Sequence, residues 1–218
     1  LIPYPDEPVN NIWVWDSYGG LTPTPVPTQI FADVMAMRLA ERALRTNPAN
    51  TEALAIFVAA NLRRQQDLAE GTVDPVYGDL DRSPEFFATV VGSSVGQRVL
   101  SLALDVQDTA LVRQAIGALA HTGGAAVVTG AQGRTPIIEC LSYPDRRVQY
   151  DAAILLGAAL PTTNFSQDTA VVPLLAAAAR TAGSQYAAVV APEEEDRRQM
   201  AAALAEEGFT VVGTAGTW

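Results

Sequence analysis

The sequence predicts a mainly helical protein built from antiparallel helical hairpins, followed by a small β-α-β unit near its end. Three observations support this prediction. Apolar residues recur at helical spacing through much of residues 28–182. Proline, glycine and capping residues interrupt that spacing repeatedly, which divides the region into short helices. After residue 185 the pattern changes to two short apolar runs separated by one helix, which is typical of a β-α-β unit.

Composition excludes several classes of function. The chain has 218 residues, of which 49% are hydrophobic, and a formal net charge of -10. We therefore expect a folded core and no nucleic-acid partner, because neutralising phosphate groups requires an excess of basic residues. No apolar run reaches the roughly 20 residues that cross a bilayer, so we expect no membrane insertion. All the basic residues are arginine, so a phosphate-loop lysine and a Schiff-base lysine are both missing.

The chain has one cysteine, Cys140, and one histidine, His121. An intrachain disulfide is therefore impossible, and His- or Cys-based metal sites and catalytic triads lack the residues they require. Cys140 lies among apolar residues, so we expect a buried structural thiol rather than a nucleophile. We expect no cofactor and no metal. An enzyme is only a third option, with acidic groups at Asp79–Asp81 and Glu193–Asp196 as its candidates.

The ends of the chain and the single free thiol give two further expectations. The sequence begins with Leu1 rather than methionine and shows no signal peptide. We expect a piece of a longer protein, located in the cytoplasm.

Residues 1–27 are rich in proline and are predicted to form an extended arm. The arm contains IWVWDSYGG, in which the apolar residues define no single face. Two interpretations stay open. Trp13, Trp15 and Tyr18 pack on the first helices, or they form an aromatic contact for a partner, since Trp and Tyr contribute much of the energy of protein interfaces.

Residues 28–71 are predicted to form a helical hairpin. One helix covers residues 28–45, a second covers residues 51–69, and Asn-Pro-Ala-Asn separates them. The stretch AERALRTNPANTEAL resembles the junction between two tetratricopeptide repeats. Two small residues and a proline occupy the positions usual for that family, namely Ala36, Ala43 and Pro48. The resemblance implies one antiparallel pair of helices.

Residues 83–182 are predicted to form further short helices. Ser83 and Pro84 mark a helix start, with Ser as the N-cap and Pro in the first turn. Asp145 is the predicted N-cap of a helix that stops before Pro161, and its apolar stripe needs neighbouring helices to bury it.

Two segments of this region repeat each other. When the sequence is shifted by 37 residues, Asp108 falls on Asp145 and Leu111 falls on Val148. LDVQDTALVRQAIGAL and LSYPDRRVQYDAAILL are the two best copies. They resemble HEAT repeats, which pair two antiparallel helices, place an Asp in the turn and follow it with an arginine, here Arg113. The resemblance implies an α-solenoid of HEAT/TPR-like hairpins, with a partial third copy at residues 168–180.

Residues 185–218 are predicted to form the β-α-β unit. Strands at residues 187–191 and 209–212 flank a helix over residues 192–207. The stretch AAVVAPEEEDRRQM resembles the opening of a response-regulator receiver domain, with an alanine and a proline in place of its acidic magnesium-binding pair. The resemblance implies a degenerate receiver-like unit that is incomplete after its second strand.

These features predict a non-catalytic scaffold for protein–protein interaction. The candidate partner-binding residues are Trp13, Trp15 and Tyr18 on the arm, and Arg147, Tyr150 and Asp151 on the helix that follows Asp145. The alternative is a signalling module in which the receiver-like tail modulates the helical repeat. Self-association through the strand edge of the tail is a further option, because an unpaired edge can bind another chain.

Overall fold

The structure is a computed structural model. It describes residues 3–78, 80, 82–128, 133–181, 183 and 185–216. Within these ranges the chain is mainly helical, as the sequence predicts, and carries two small sheets, of which the sequence predicts only the second. The chain forms two compact units, Leu1–Leu174 and Leu175–Trp218.

The first unit begins with an antiparallel β-hairpin. Strand β1 (Val9–Asp16) pairs with strand β2 (Gly20–Pro27), and Gly20 adopts the positive φ of 80° at the turn. Ile12 and Val26 are fully buried. The extended backbone expected for this region is confirmed. The expectation that no face is apolar was wrong, because strand pairing places alternate residues on one buried face.

Helix α1 (Thr28–Thr46) and helix α2 (Thr51–Asp67) follow the hairpin and pack against each other. The side chain of Asn50 caps α2 by accepting a hydrogen bond from the Ala53 N–H at 3.1 Å. Both helices and the β-hairpin share one core, which contains Ile12, Val26, Ile30, Phe31, Val34, Met37, Ala60 and Tyr77. The helices lie where the apolar spacing predicts them, and the β-hairpin is anchored in their core.

The rest of the first unit consists of short helices. They are α3 (Pro84–Val90), α4 (Gly92–Asp105), α5 (Thr109–Thr122), α6 (Pro136–Glu139) and α7 (Arg146–Ala159). A further helix, α8 (Asp168–Thr181), contains the boundary between the two units.

Three predicted N-caps are confirmed. The Ser83 hydroxyl accepts a hydrogen bond from the backbone N–H three residues later, at 3.3 Å. The Asp108 carboxylate accepts a hydrogen bond from the Leu111 N–H at the start of α5, at 3.0 Å. The Asp145 carboxylate accepts from the N–H groups of Arg147 and Val148 in the first turn of α7, the closer at 2.7 Å. Each cap satisfies backbone donors that a helix start leaves unpaired.

The two segments related by the 37-residue shift are neighbours. Helix α4 contacts α5 and α6, and α5 contacts α7. The guanidinium of Arg113 on α5 reaches Asp151 on α7, with 2.6 Å between Nε and Oδ2. The copies differ in one respect. The counterpart of α4 is only α6 and a 3-10 turn at Cys140–Ser142, because Pro136 prevents the helix from extending towards its N-terminus.

The second unit contains the predicted β-α-β arrangement. Strand β3 (Gln185–Val190) runs parallel to strand β4 (Phe209–Ala215), and helix α9 (Glu194–Glu206) connects them. Met200, which the spacing places on the buried side of α9, is 51% exposed. That expectation was wrong, since α9 buries none of its residues.

Candidate interaction surface

The outward face of the β-hairpin carries a row of exposed apolar side chains. It comprises Val9, Trp13 and Trp15 on β1 and Leu21, Pro23 and Pro25 on β2, which we call the Trp/Pro face. Trp13 lies opposite Pro23, and Trp15 lies opposite Leu21. The exposed fractions are 50% for Trp13, 73% for Trp15 and 61% for Leu21. Two indole rings are therefore presented to solvent on a hairpin whose other face is buried.

The alternation of proline in β2 explains why this face is displayed. The Thr28 N–H donates to the Pro8 carbonyl at 3.0 Å, which fixes the phase of hydrogen bonding between the strands. The prolines at 23, 25 and 27 therefore occupy positions whose N–H would point away from β1. They remove no bond between the strands, and they leave the Leu21 N–H as the outward donor of β2 in this register. Pairing of an added strand with that edge is therefore disfavoured, which favours the apolar face as a binding surface.

The surroundings of the Trp/Pro face are acidic. Residues 1–27 contain Asp6, Glu7 and Asp16 and no basic residue. Arg38 on α1 approaches from the helix side and donates to the Trp13 carbonyl at 3.2 Å. The face thus combines exposed indole rings with carboxylates nearby in the chain.

The structure contradicts one of the two interpretations, packing on the first helices, for two of the three aromatic residues. Tyr18 lies in the turn between the strands and is 98% exposed, and Trp15 is 73% exposed. The interpretation that these two side chains pack on the first helices was therefore wrong. The signal for the hairpin was present in the sequence, as proline at every second position between residues 23 and 27.

The second predicted group of partner-binding residues lies on α7. Arg147 is exposed, whereas Tyr150 and Asp151 are half-buried. Asp151 already binds Arg113, and that hydrogen bond raises the pKa of the Arg113 guanidinium. Asp151 is therefore less available to a partner than its position off the apolar stripe suggests.

Sequence reasoning missed a buried charged cluster at the end of α2. Arg64 binds Asp74 with 2.8 Å between Nη1 and Oδ2, and the two side chains are 7% and 0% exposed. Arg64 also donates two hydrogen bonds to the Asn61 amide oxygen. The other oxygen of Asp74 accepts from the Val76 N–H at 2.8 Å. This cluster attaches the loop after α2 to the helix.

A second charged cluster links α1, α2 and the cap of α5. The Nε atom of Arg63 lies 3.3 Å from an Asp108 oxygen and 3.9 Å from an Asp33 oxygen. Burial raises the pKa of Asp33 to about 6, and the charges of Asp67 and Asp108 act in the same direction while Arg63 opposes them. Asp33 is therefore the buried acid whose protonation changes near neutral pH.

The single cysteine and one of the two acidic groups that the sequence singles out can be placed in the parts of the chain that the structure describes. No cluster of three or more His, Cys, Asp or Glu side chains there can hold a metal ion. Cys140 is fully buried, and burial raises the pKa of its thiol to about 12. Glu193–Asp196 lies at the start of α9, where Glu194 binds Arg198. Asp79 and Asp81 lie outside the described residues.

Comparisons with known proteins find no match: no family model, no curated protein and no solved structure matches this chain. Within the described residues, none of the helices is long and apolar enough to span a membrane. The fold and the surface define a mainly helical protein that displays an apolar, tryptophan-bearing β-hairpin face. The functional argument therefore depends on that face.

Proposed function

We propose that this protein is a non-catalytic scaffold of HEAT/TPR-like helical hairpins, an α-solenoid, which binds another protein through the Trp/Pro face. The observation that supports this proposal is the row of exposed apolar side chains on a hairpin anchored by Ile12 and Val26. Contiguous exposed apolar patches mark interaction sites in soluble proteins, and tryptophan is enriched at energetic hot spots. The anchored strands keep the two indole rings in place before binding, which reduces the entropy lost on association.

The charge around the face indicates the chemistry of the partner. The hairpin region carries three carboxylates and no basic residue, and the whole chain is acidic. A partner surface with an apolar centre and flanking Lys or Arg side chains would match it. Such cations can also stack on the exposed indole rings.

Site-specific crosslinking of the full chain tests the proposal. We would place a photo-crosslinking phenylalanine analogue at Leu21, inside the face, and as a matched control at Val106, an exposed apolar residue at the end of α4 that lies outside both the face and α7. We expect a discrete protein product from position 21 that disappears in the Trp13→Ser/Trp15→Ser variant. Each tryptophan should contribute about 2 kcal/mol, or roughly 30-fold in Kd. Identical products from both positions, or products that persist in the variant, would contradict the proposal.

The exposed surface of α7 is a secondary part of the same proposal. Arg147 and Tyr150 lie off the buried stripe of α7, and Asp151 is held by Arg113. We expect Arg147→Ala/Tyr150→Ala to weaken partner binding less than the double tryptophan substitution does. Unchanged capture of the partner by this variant would remove α7 from the binding surface.

The second unit supports an alternative function. The parallel pairing of β3 with β4 around α9 is the arrangement that a receiver-like regulatory tail would have. Titration of Mg²⁺ and beryllofluoride onto the full chain, followed by NMR, tests this alternative. Saturable shifts near Ala191 would favour regulation, and unchanged spectra would leave a tail that mediates contacts.

The same unit carries the proposal of self-association through its strand edge. Sedimentation velocity at increasing concentration measures this association directly, and a constant monomer mass would overturn it.

A further inference from the structure

An open surface cavity of about 440 Å³ lies between α2, α3 and α5 in the first unit, and several of its lining residues are exposed. Its walls include Leu62 from α2, Phe86 from α3 and Gly117 from α5, and its polar groups include Glu85, Gln114 and His121. The volume falls within the range of about 300–1,000 Å³ that small-molecule sites occupy. A largely apolar wall with a few polar groups is also the composition of such sites.

Gly117 is not explained by the packing of the protein itself. It lies in the interior of α5, where glycine is less favourable than alanine. A Cβ atom placed on Gly117 would meet no atom within 4 Å. Gly96 on α4 gives the contrast, because a Cβ there would lie 2.9 Å from a Leu119 methyl group. A Cβ at position 96 would therefore crowd a buried neighbour, whereas Gly117 is exposed and faces the open space of the cavity.

Gln114 lies one turn before Gly117 on the cavity side of α5. Its amide oxygen is buried and accepts no hydrogen bond within the described residues. An unpaired buried acceptor of this kind destabilises the folded protein. Turning the amide towards the cavity would break no bond to that oxygen, and a donor on a bound molecule would satisfy it.

The charges of the lining restrict the ligand. Glu85 is the only residue of the lining with a formal charge when His121 is neutral. Arg82 packs over the Phe86 ring, 5.2 Å from its centroid, and is not part of the lining. The site therefore disfavours anions. Because Gly117 and its neighbour Ala118 present almost no side chain, a flat ring can lie directly against α5.

We propose that this cavity binds a small planar aromatic molecule, neutral or cationic, whose ring lies against Gly117 and whose N–H donates to the Gln114 amide oxygen. The site is separate from the Trp/Pro face, so it holds whether or not the scaffold proposal does. The first unit would then carry a ligand site within the helices that support its protein-binding hairpin.

The single histidine provides a direct assay. His121 lines the cavity, so its ring gives one set of histidine signals in a full chain labelled with ¹³C-histidine. The probes are indole, its analogue indene, which lacks the N–H, and the anion indole-3-acetate. We expect indole to shift the His121 signals saturably. We expect indene and indole-3-acetate to bind about tenfold or more weakly, which corresponds to about 1.4 kcal/mol.

Substitutions test which residues contact the bound molecule. Gly117→Leu should abolish indole binding, and Gly117→Ala should weaken binding while raising the melting temperature, because alanine favours the helix. Ala120→Leu, at an exposed residue of α5 outside the lining, is the matched control and should bind as the unmodified chain does. Gln114→Leu should remove the preference for indole over indene. Absence of a saturable indole shift, normal binding by both Gly117 variants, or equal affinity for indole and indene would overturn the proposal.

Discussion

Helices α7 and α9 have similar lengths and are stabilised in different ways. Helix α7 lies in the first unit and buries five residues, which are Val148, Ala152, Ala153, Leu155 and Leu156. Helix α9 lies in the second unit and buries none. Its support is local: acidic residues in its first turn favour the helix dipole, and Arg198 binds Glu194 one turn earlier. The first unit thus depends on tertiary packing, whereas α9 depends mainly on interactions within four residues.

The comparison extends to the units themselves. In the second unit, Val189 and Ala191 are the buried apolar residues among those described, whereas the first unit has a continuous set along most of its helices. Because burial of apolar area provides most of the stabilising free energy, the first unit should open rarely and the second more often. A rigid first unit suits both the anchored Trp/Pro face and the cavity beside α5.

The largest effect should come from removing one partner of a buried ion pair. Arg64→Ala leaves the Asp74 carboxylate buried without its cation, so the free energy of unfolding should fall by about 3–5 kcal/mol. Arg198→Ala, which breaks an exposed pair on α9, should change it by no more than about 0.5 kcal/mol. Urea unfolding followed by circular dichroism measures both values. If Arg64→Ala and Arg198→Ala lowered the free energy of unfolding equally, the proposed difference in stabilisation between the two units would be wrong.

Replacing one leucine of α7 and one of α9 by alanine should give the next largest difference in free energy of unfolding. Leu156 is 1% exposed, so Leu156→Ala should cost about 2–5 kcal/mol through lost burial and the cavity it leaves. Leu204 on α9 is only half-buried, so Leu204→Ala should cost about 1 kcal/mol or less.

Amide hydrogen exchange tests the same difference between α7 and α9. Amides of α7 should exchange only through global unfolding, whereas amides of α9 should exchange through local opening. Equally slow exchange in both helices would show that α9 is held by packing after all.

The smallest expected effect is a change with pH in the free energy of unfolding of the first unit. Burial raises the pKa of Asp33 in the folded protein from 3.8 to about 6. The folded state therefore binds the proton more tightly than the unfolded state. The stability contributed by Asp33 is complete below pH 3.8 and is lost as the pH rises through about 6.

Asp33→Asn removes this titration. Relative to the unmodified chain, the variant should gain about 2–3 kcal/mol in free energy of unfolding between pH 4 and pH 7. Denaturant unfolding of both proteins at several pH values gives this difference. A difference that falls as the pH rises would mean that the ion pair with Arg63 outweighs desolvation.

Local features of this protein were predictable from its residues. The Asp108 and Asp145 caps, the Ser83–Pro84 helix start and the parallel strands around α9 lie where the sequence places them. Of the predicted partner-binding residues, Trp13, Trp15, Tyr18 and Arg147 are exposed, whereas Tyr150 and Asp151 are half-buried. The Asp151–Arg113 pair joins residues 38 positions apart, and no local pattern indicated it.

The sequence alone determined where helices begin and end, because capping, proline and glycine act within about four residues of the chain. Only the tertiary structure decided what those elements bury and display. Pairing of β1 with β2 selected the face that carries Trp13 and Trp15, and packing of α2, α3 and α5 left space in front of Gly117. Burial and strand register depend on which distant segments of the chain contact each other. The free energy of those contacts depends on all the segments involved, so no single stretch of sequence determines it.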